Sequence, residues 1–163
     1  MKKLQFTVLL NLKNNYLLIC FFIFTSCFIS EKEKSYNELN NYFKSEFNIS
    51  IKNKIHTIYV LTENGCNNCN KSFLHLLIKV QKQDSTLILI VASGSRIDIS
   101  EINSNSKNVL FSKNSKTEKA YELLEKSKVI YIENNKIDTI LTIEAPQLGD
   151  QIHEIERRNS TNN

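Results

Sequence analysis

Residues 55–92 read IHTIYVLTENGCNNCNKSFLHLLIKVQKQDSTLILIVA. At one end, Ile55–Leu61 is rich in β-branched and aromatic residues and bounded by polar Asn and Lys, which predicts a buried strand. At the other, Thr86–Ala92 is a continuous apolar run, as suits a central parallel strand covered on both faces. Between them Phe73, Leu76, Leu77 and Val80 fall on one helical stripe, widened by Leu74 and Ile78. A helix is therefore expected from about Cys66 to about Lys82. The whole stretch predicts a β–α–β unit with Cys66 and Cys69 at the strand-to-helix turn.

Downstream, Ser93–Lys107 is polar with alternating Ile97, Ile99 and Ile102, compatible with a short helix or an extended loop. Asn108–Phe111 suggests a small strand. Ser115-Lys-Thr-Glu118 has the spacing of a capping box and opens a helix carrying Ala120, Tyr121, Leu123 and Leu124. Lys128–Glu133 and Lys136–Ile143 read as strands joined by Asn134-Asn135. Asn tolerates positive φ, so a two-residue primed turn and an antiparallel hairpin follow. Pro146 is placed to open a last helix bearing Leu148, Ile152 and Ile155, with Arg157 and Arg158 at its negative end. Residues 159–163 are expected to fray.

Upstream, Ser35-Tyr-Asn-Glu38 is a second capping box, followed by Leu39, Phe43 and Phe47 at helical spacing. A helical extension over 35–50 that docks on the domain is expected, with the charged stretch 28–34 as a tether. Residues 1–26 read as an export signal. Lys2, Lys3 and Lys13 lie in a basic leader, Tyr16–Phe24 is unbroken apolar sequence, and Thr25 and Ser26 precede Cys27. The apolar run falls short of the roughly 18 residues a spanning helix needs. Small residues directly before a cysteine resemble the lipobox of bacterial lipoproteins. That resemblance implies acylation of Cys27 as the first residue of the mature chain. It also implies a membrane-anchored protein facing the periplasm or cell exterior, with Phe28 favouring the outer membrane of a Gram-negative cell.

Composition narrows the classes. The chain has 163 residues, 41% hydrophobic and 23% charged, so one packed domain with appendages is attainable. Three Gly and one Pro exclude collagen-like and Pro-rich classes. The formal charge is +4, but three of the 21 basic residues lie in the signal; 18 basic then face 17 acidic, a net of +1. No basic face or Arg–aromatic cluster is present, so nucleic-acid binding is not expected. Of four cysteines, Cys20 leaves with the signal and Cys27 takes lipid, leaving Cys66 and Cys69 in an oxidising compartment. A bridge over two residues constrains little unfolded chain, so its use is expected to be chemical.

The order strand, CxxC helix, strand, helix, hairpin, helix resembles the thioredoxin fold over Ile55–Arg158. Residues 108–137 are similar to the second half of membrane-anchored thiol–disulfide oxidoreductases of the TlpA/ResA type. The implied architecture is an α/β three-layer sandwich over residues 51–158, a mixed sheet with a C-terminal hairpin and flanking helices. At a helix start, unpaired N–H groups and the macrodipole favour a thiolate. Cys66 is accordingly expected to attack a substrate disulfide and Cys69, one turn on, to resolve the mixed disulfide. The resemblance assigns the same roles. It implies no cofactor, and as partners cysteine-bearing exported proteins and an upstream membrane redox protein.

Three positions depart from the family. Asn67-Asn68 separate the cysteines, with neither Pro nor His. The cis-proline loop is matched by Ser127-Lys128, while Pro146 lies beyond the hairpin. The buried acid six residues before the CxxC is replaced by Val60, leaving Glu63 as a candidate proton carrier. Two other readings stay open: a thioredoxin-like module that binds without catalysis, and a soft-metal site for Cu(I) or Zn²⁺ on the CxxC pair. No metal ligand set is assigned; His56, His75 and His153 are read as surface or boundary residues.

Overall fold

A sheet whose strands are apolar on both faces needs a layer of helix on each, and this chain supplies both. The structure, a computed structural model, describes residues 31–51, 55–64, 66–91, 97–112 and 124–161. In chain order these form α1 (Glu31–Phe47), β1 (Thr57–Thr62), α2 (Asn67–Val80), β2 (Thr86–Val91), β3 (Val109–Ser112), β4 (Lys128–Glu133), β5 (Lys136–Thr142), a 3-10 turn (Ala145–Gln147) and α3 (Leu148–Thr161). The described residues from Lys32 onward belong to one compact unit. The expected signal, Cys20, Cys27 and the helix expected after Ser115 lie outside the described residues, apart from Leu124 at that helix's end. Among the described residues no helix is long and apolar enough to cross a membrane.

The five strands are ordered β3-β2-β1-β4-β5. β1 pairs in parallel with β2, and β2 with β3; β4 runs antiparallel to β1, and β5 to β4. The protein is thus α/β, with a mixed five-stranded sheet between helices. Side chains alternate along each strand. Tyr59, Leu61, Ile88, Ile90, Val129 and Tyr131 pack with Phe73, Leu76, Leu77 and Val80 of α2 and Ile155 of α3. Ile58, Val60, Leu87, Leu89, Ile130 and Ile132 turn the other way, onto Tyr36, Leu39, Tyr42 and Phe43 of α1.

Several expectations change in detail. α1 already includes Glu31–Lys34, so Ser35 stands inside the helix rather than at its cap. Glu and Lys are good helix formers, and this first turn is tied to the hairpin. Lys32 Nζ donates to the Asp138 carbonyl at 2.8 Å, Glu33 pairs with Lys136 at 3.4 Å, and the Tyr36 hydroxyl donates to Asn135 Oδ1 at 3.1 Å. At its other end Asn48 adopts φ 56°, its N–H still bonded to the Lys44 carbonyl, as in a left-handed helix stop. Residues 97–108 form turns, neither helix nor strand, and bury Ile102 in the α2-side core. Pro146 sits in the 3-10 turn, and the α-helix starts at Leu148. The Gln151 amide bonds both the Glu144 N–H and the Thr142 carbonyl, tying that helix to the end of β5. α3 continues to Thr161 because Asn159 Oδ1 accepts the Tyr59 hydroxyl at 2.9 Å, which anchors the turn expected to fray.

Candidate thiol–disulfide site

The end of β1 and the start of α2 set the cysteines. β1 stops at Thr62, whose hydroxyl donates to the Asn64 carbonyl at 3.2 Å and closes a bend over Glu63-Asn64. Cys66 follows in an extended conformation, φ −77° and ψ 117°, and is the N-cap of α2. Cysteine is an uncommon cap, but its sulfur takes the usual role: Sγ accepts the Cys69 N–H at 3.2 Å. The Cys66 carbonyl accepts the Asn70 N–H at 2.9 Å, the first turn of the helix. Cys66 and Cys69 are paired as a disulfide, with Cα atoms 5.1 Å apart. Cys66 is partly exposed, whereas Cys69 is 1% exposed and belongs to the α2-side core. One sulfur can therefore meet a partner while the other meets only its neighbour.

The remaining positions singled out from sequence divide. Ser127 comes to the cysteine helix: its hydroxyl donates to Asn70 Oδ1 at 2.8 Å and accepts the Thr62 N–H at 3.0 Å. Asn70 Nδ2 in turn donates to the Thr62 carbonyl at 2.9 Å. No cis peptide occurs among the described residues, and the Ser127 carbonyl accepts the Ile143 N–H at 2.8 Å. Lys128 is 7% exposed at the start of β4, opposite Val60 in the antiparallel register. Val60 packs in the core on the α1 side, away from the cluster that holds Cys69. Glu63 is half-buried in the bend between β1 and Cys66.

The histidines do not converge on the sulfurs. His56 lies just before β1, at the opposite end of that strand; His75 and His153 are exposed on α2 and α3. Among the described residues no group of three or more His, Cys, Asp and Glu side chains could hold a metal ion. A cavity of about 590 Å³ also lies at the far end of β1, lined by His56, Thr57, Tyr131, Glu133 and Arg158. It is remote from the cysteines in the fold and adds nothing to their chemistry.

Asn70 is the site residue that motif reading passed over. It stands on the stripe of Cys66, Phe73, Leu77 and Val80, at spacings of four, three, four and three. A polar residue on the buried face of a helix needs a buried partner, and that was the available signal.

No family model matches the chain, and no curated protein and no solved structure matches it either.

Proposed function

We propose that this chain is an exported, lipid-anchored protein of thioredoxin-like fold that exchanges dithiol and disulfide through Cys66 and Cys69. The observation that carries the reading is Cys66 at the N-cap of α2, its sulfur receiving the Cys69 N–H and bonded to a buried Cys69. A thiolate at that place gains from the unpaired amides of the first helical turn and from the macrodipole. The sheet supports the fold assignment: parallel β1 and β2 enclose the CxxC helix, and an antiparallel hairpin followed by a helix completes the order of elements.

In the reductive direction the Cys66 thiolate attacks one sulfur of a partner disulfide, forming a mixed disulfide and releasing the first partner thiolate. Cys69, deprotonated, then attacks Cys66 Sγ and releases the second. Two electrons pass to the partner, which takes up two protons, and the pair is left oxidised. Oxidation of a partner dithiol is the reverse. Glu63, in the bend before Cys66, is the candidate to receive the resolving proton. Acylated Cys27 would hold the domain at the membrane, facing exported cysteine-bearing partners.

Cys69→Ser is expected to leave partners trapped on Cys66 as mixed disulfides, visible as adducts that reductant releases. The wild-type couple should equilibrate with glutathione; a potential near about −270 mV would make it a reductant and one near about −120 mV an oxidant. Absence of any adduct, with the native pair reduced in its compartment, would sink the reading.

That result would favour a binding module instead. One observation points that way. The Ser127 carbonyl, on the loop where family members present backbone to substrate, is already occupied by the Ile143 N–H.

A further inference from the structure

The contacts of Asn70 and Ser127 close on themselves. The Thr62 N–H donates to Ser127 Oγ, the Ser127 hydroxyl donates to Asn70 Oδ1, and Asn70 Nδ2 donates back to the Thr62 carbonyl, at 3.0, 2.8 and 2.9 Å. All three residues are at most 2% exposed, so no bulk water competes. Each member also belongs to a different element: the last residue of β1, the first turn of α2 and the segment entering β4. The Asn70 N–H is itself bonded to the Cys66 carbonyl. The ring therefore holds the helix start that supplies a donor to the Cys66 sulfur.

We infer that Asn70 and Ser127 are positioning residues for Cys66, the ring keeping the first-turn amides aimed at its sulfur when the disulfide is open. This rests on the exchange reading above. In the disulfide form the covalent bond itself fixes the two cysteines. On reduction that restraint is gone, and the first turn keeps its place only if something else fixes it to the sheet. A helix terminus otherwise frays, and donors that move lose their hold on a thiolate. The ring is suited to this because its bonds are buried. Deleting the Ser127 side chain removes the partner of the Thr62 N–H and of Asn70 Oδ1. Deleting that of Asn70 leaves the Ser127 hydroxyl only the Thr62 carbonyl, 3.3 Å away, which does not reach α2.

The test is the rate at which iodoacetamide alkylates Cys66 in the reduced full-length chain in detergent at about pH 7, read by peptide mass spectrometry. Wild type, Asn70→Ala, Ser127→Ala, the double variant and Ser127→Thr are compared. Both single alanine variants should react severalfold more slowly, because a smaller fraction of Cys66 is thiolate at that pH. The double variant should be no slower than either single one, because one broken link opens the ring. Ser127→Thr keeps the hydroxyl and should stay within about twofold of wild type. Lowered stability alone would move the urea midpoint and leave the alkylation rate unchanged, and that result overturns the inference. Ser127→Ala and Ser127→Thr decide the matter if Asn70→Ala fails to fold. Oxidised glutathione separates the two levels: a wild type that forms no Cys66–Cys69 disulfide with it removes the exchange reading and the ring's role together. A wild type that exchanges, with alanine variants alkylated at its rate, removes the ring's role alone.

Discussion

At the scale of single residues, burial forces polar atoms to find partners, and the exceptions are informative. Asn70 and Ser127 satisfy one another next to the cysteines. Tyr131 does not: it is 6% exposed, and its hydroxyl is buried with no hydrogen-bond partner among the described residues. Its ring keeps a separate interaction, with the Arg158 guanidinium 4.6 Å from the centroid. Removing an unsatisfied buried hydroxyl removes a desolvation cost, so Tyr131→Phe should stabilise the protein by about 1 kcal/mol in urea unfolding, with the guanidinium contact retained. The same substitution has a pH signature. Burial raises the Tyr131 pKa, with Tyr59 adding to the shift and Arg158 opposing it. Burial likewise pushes Tyr59 up to about 12, against its hydrogen bond to Asn159. Below about pH 10 both phenols are neutral, folded or unfolded, and contribute no pH dependence. Above it the unfolded chain ionises first, so stability falls as pH rises toward the folded values. Tyr131→Phe should make that alkaline decline shallower; an unchanged slope would show that Tyr131 does not resist ionisation in the fold.

At the scale of elements, the tight turns are set by local chemistry. Asn134 and Asn135 adopt φ 51° and 58°, the two positive values a primed hairpin turn requires. β4 and β5 pair directly across them, Glu133 with Lys136. Asn134 is exposed, whereas Asn135 also accepts the Tyr36 hydroxyl, so the turn is tested at Asn134. Gly carries no Cβ penalty at positive φ, so Asn134→Gly should raise stability by about 0.5 kcal/mol. Asn134→Val, β-branched and disfavoured there, should lower it by about 1–2 kcal/mol. Equal urea midpoints for both variants would mean that the turn does not restrain the hairpin. The start of α2 obeys a similar local logic, with a cysteine sulfur doing what a serine or aspartate oxygen does at an ordinary cap.

At the scale of the whole molecule, α1 is a structural layer rather than an appendage. It covers Ile58, Val60, Leu87 and Leu89 on the sheet face that α2 and α3 leave open, and Leu39 lies fully buried in that contact. Leu39→Ala should cost about 2–5 kcal/mol in a cooperative transition that includes the sheet. Loss of α1 helicity with the rest of the fold untouched would contradict this. The consequence for function is direct, because β1, whose last residue closes the ring beside Cys66, is held from the α1 side as well as from the α2 side.

How much of this was legible depended on range. Ile55–Leu61, the stripe through Phe73 and Val80, Thr86–Ala92 and the paired asparagines each carry their period or turn chemistry within a few residues, and each became the element expected to within one or two positions. Ser35-Tyr-Asn-Glu38 was a local signal overridden by distant contacts, since Lys32 and Glu33 extend the helix by bonding to the hairpin. The role of Asn70 was visible only as a polar intruder on an apolar stripe; its partners come from 8 and 57 residues away.

The amino-acid order by itself determined the strands, the CxxC helix and the hairpin turn, because side-chain period and backbone preference act between near neighbours. Tertiary structure alone decided that α1 closes the second face of the sheet, that Val60 faces away from the cysteine cluster, and that Ser127 meets Asn70. Those outcomes turn on how strands stack and which face each presents, which no short stretch of chain encodes.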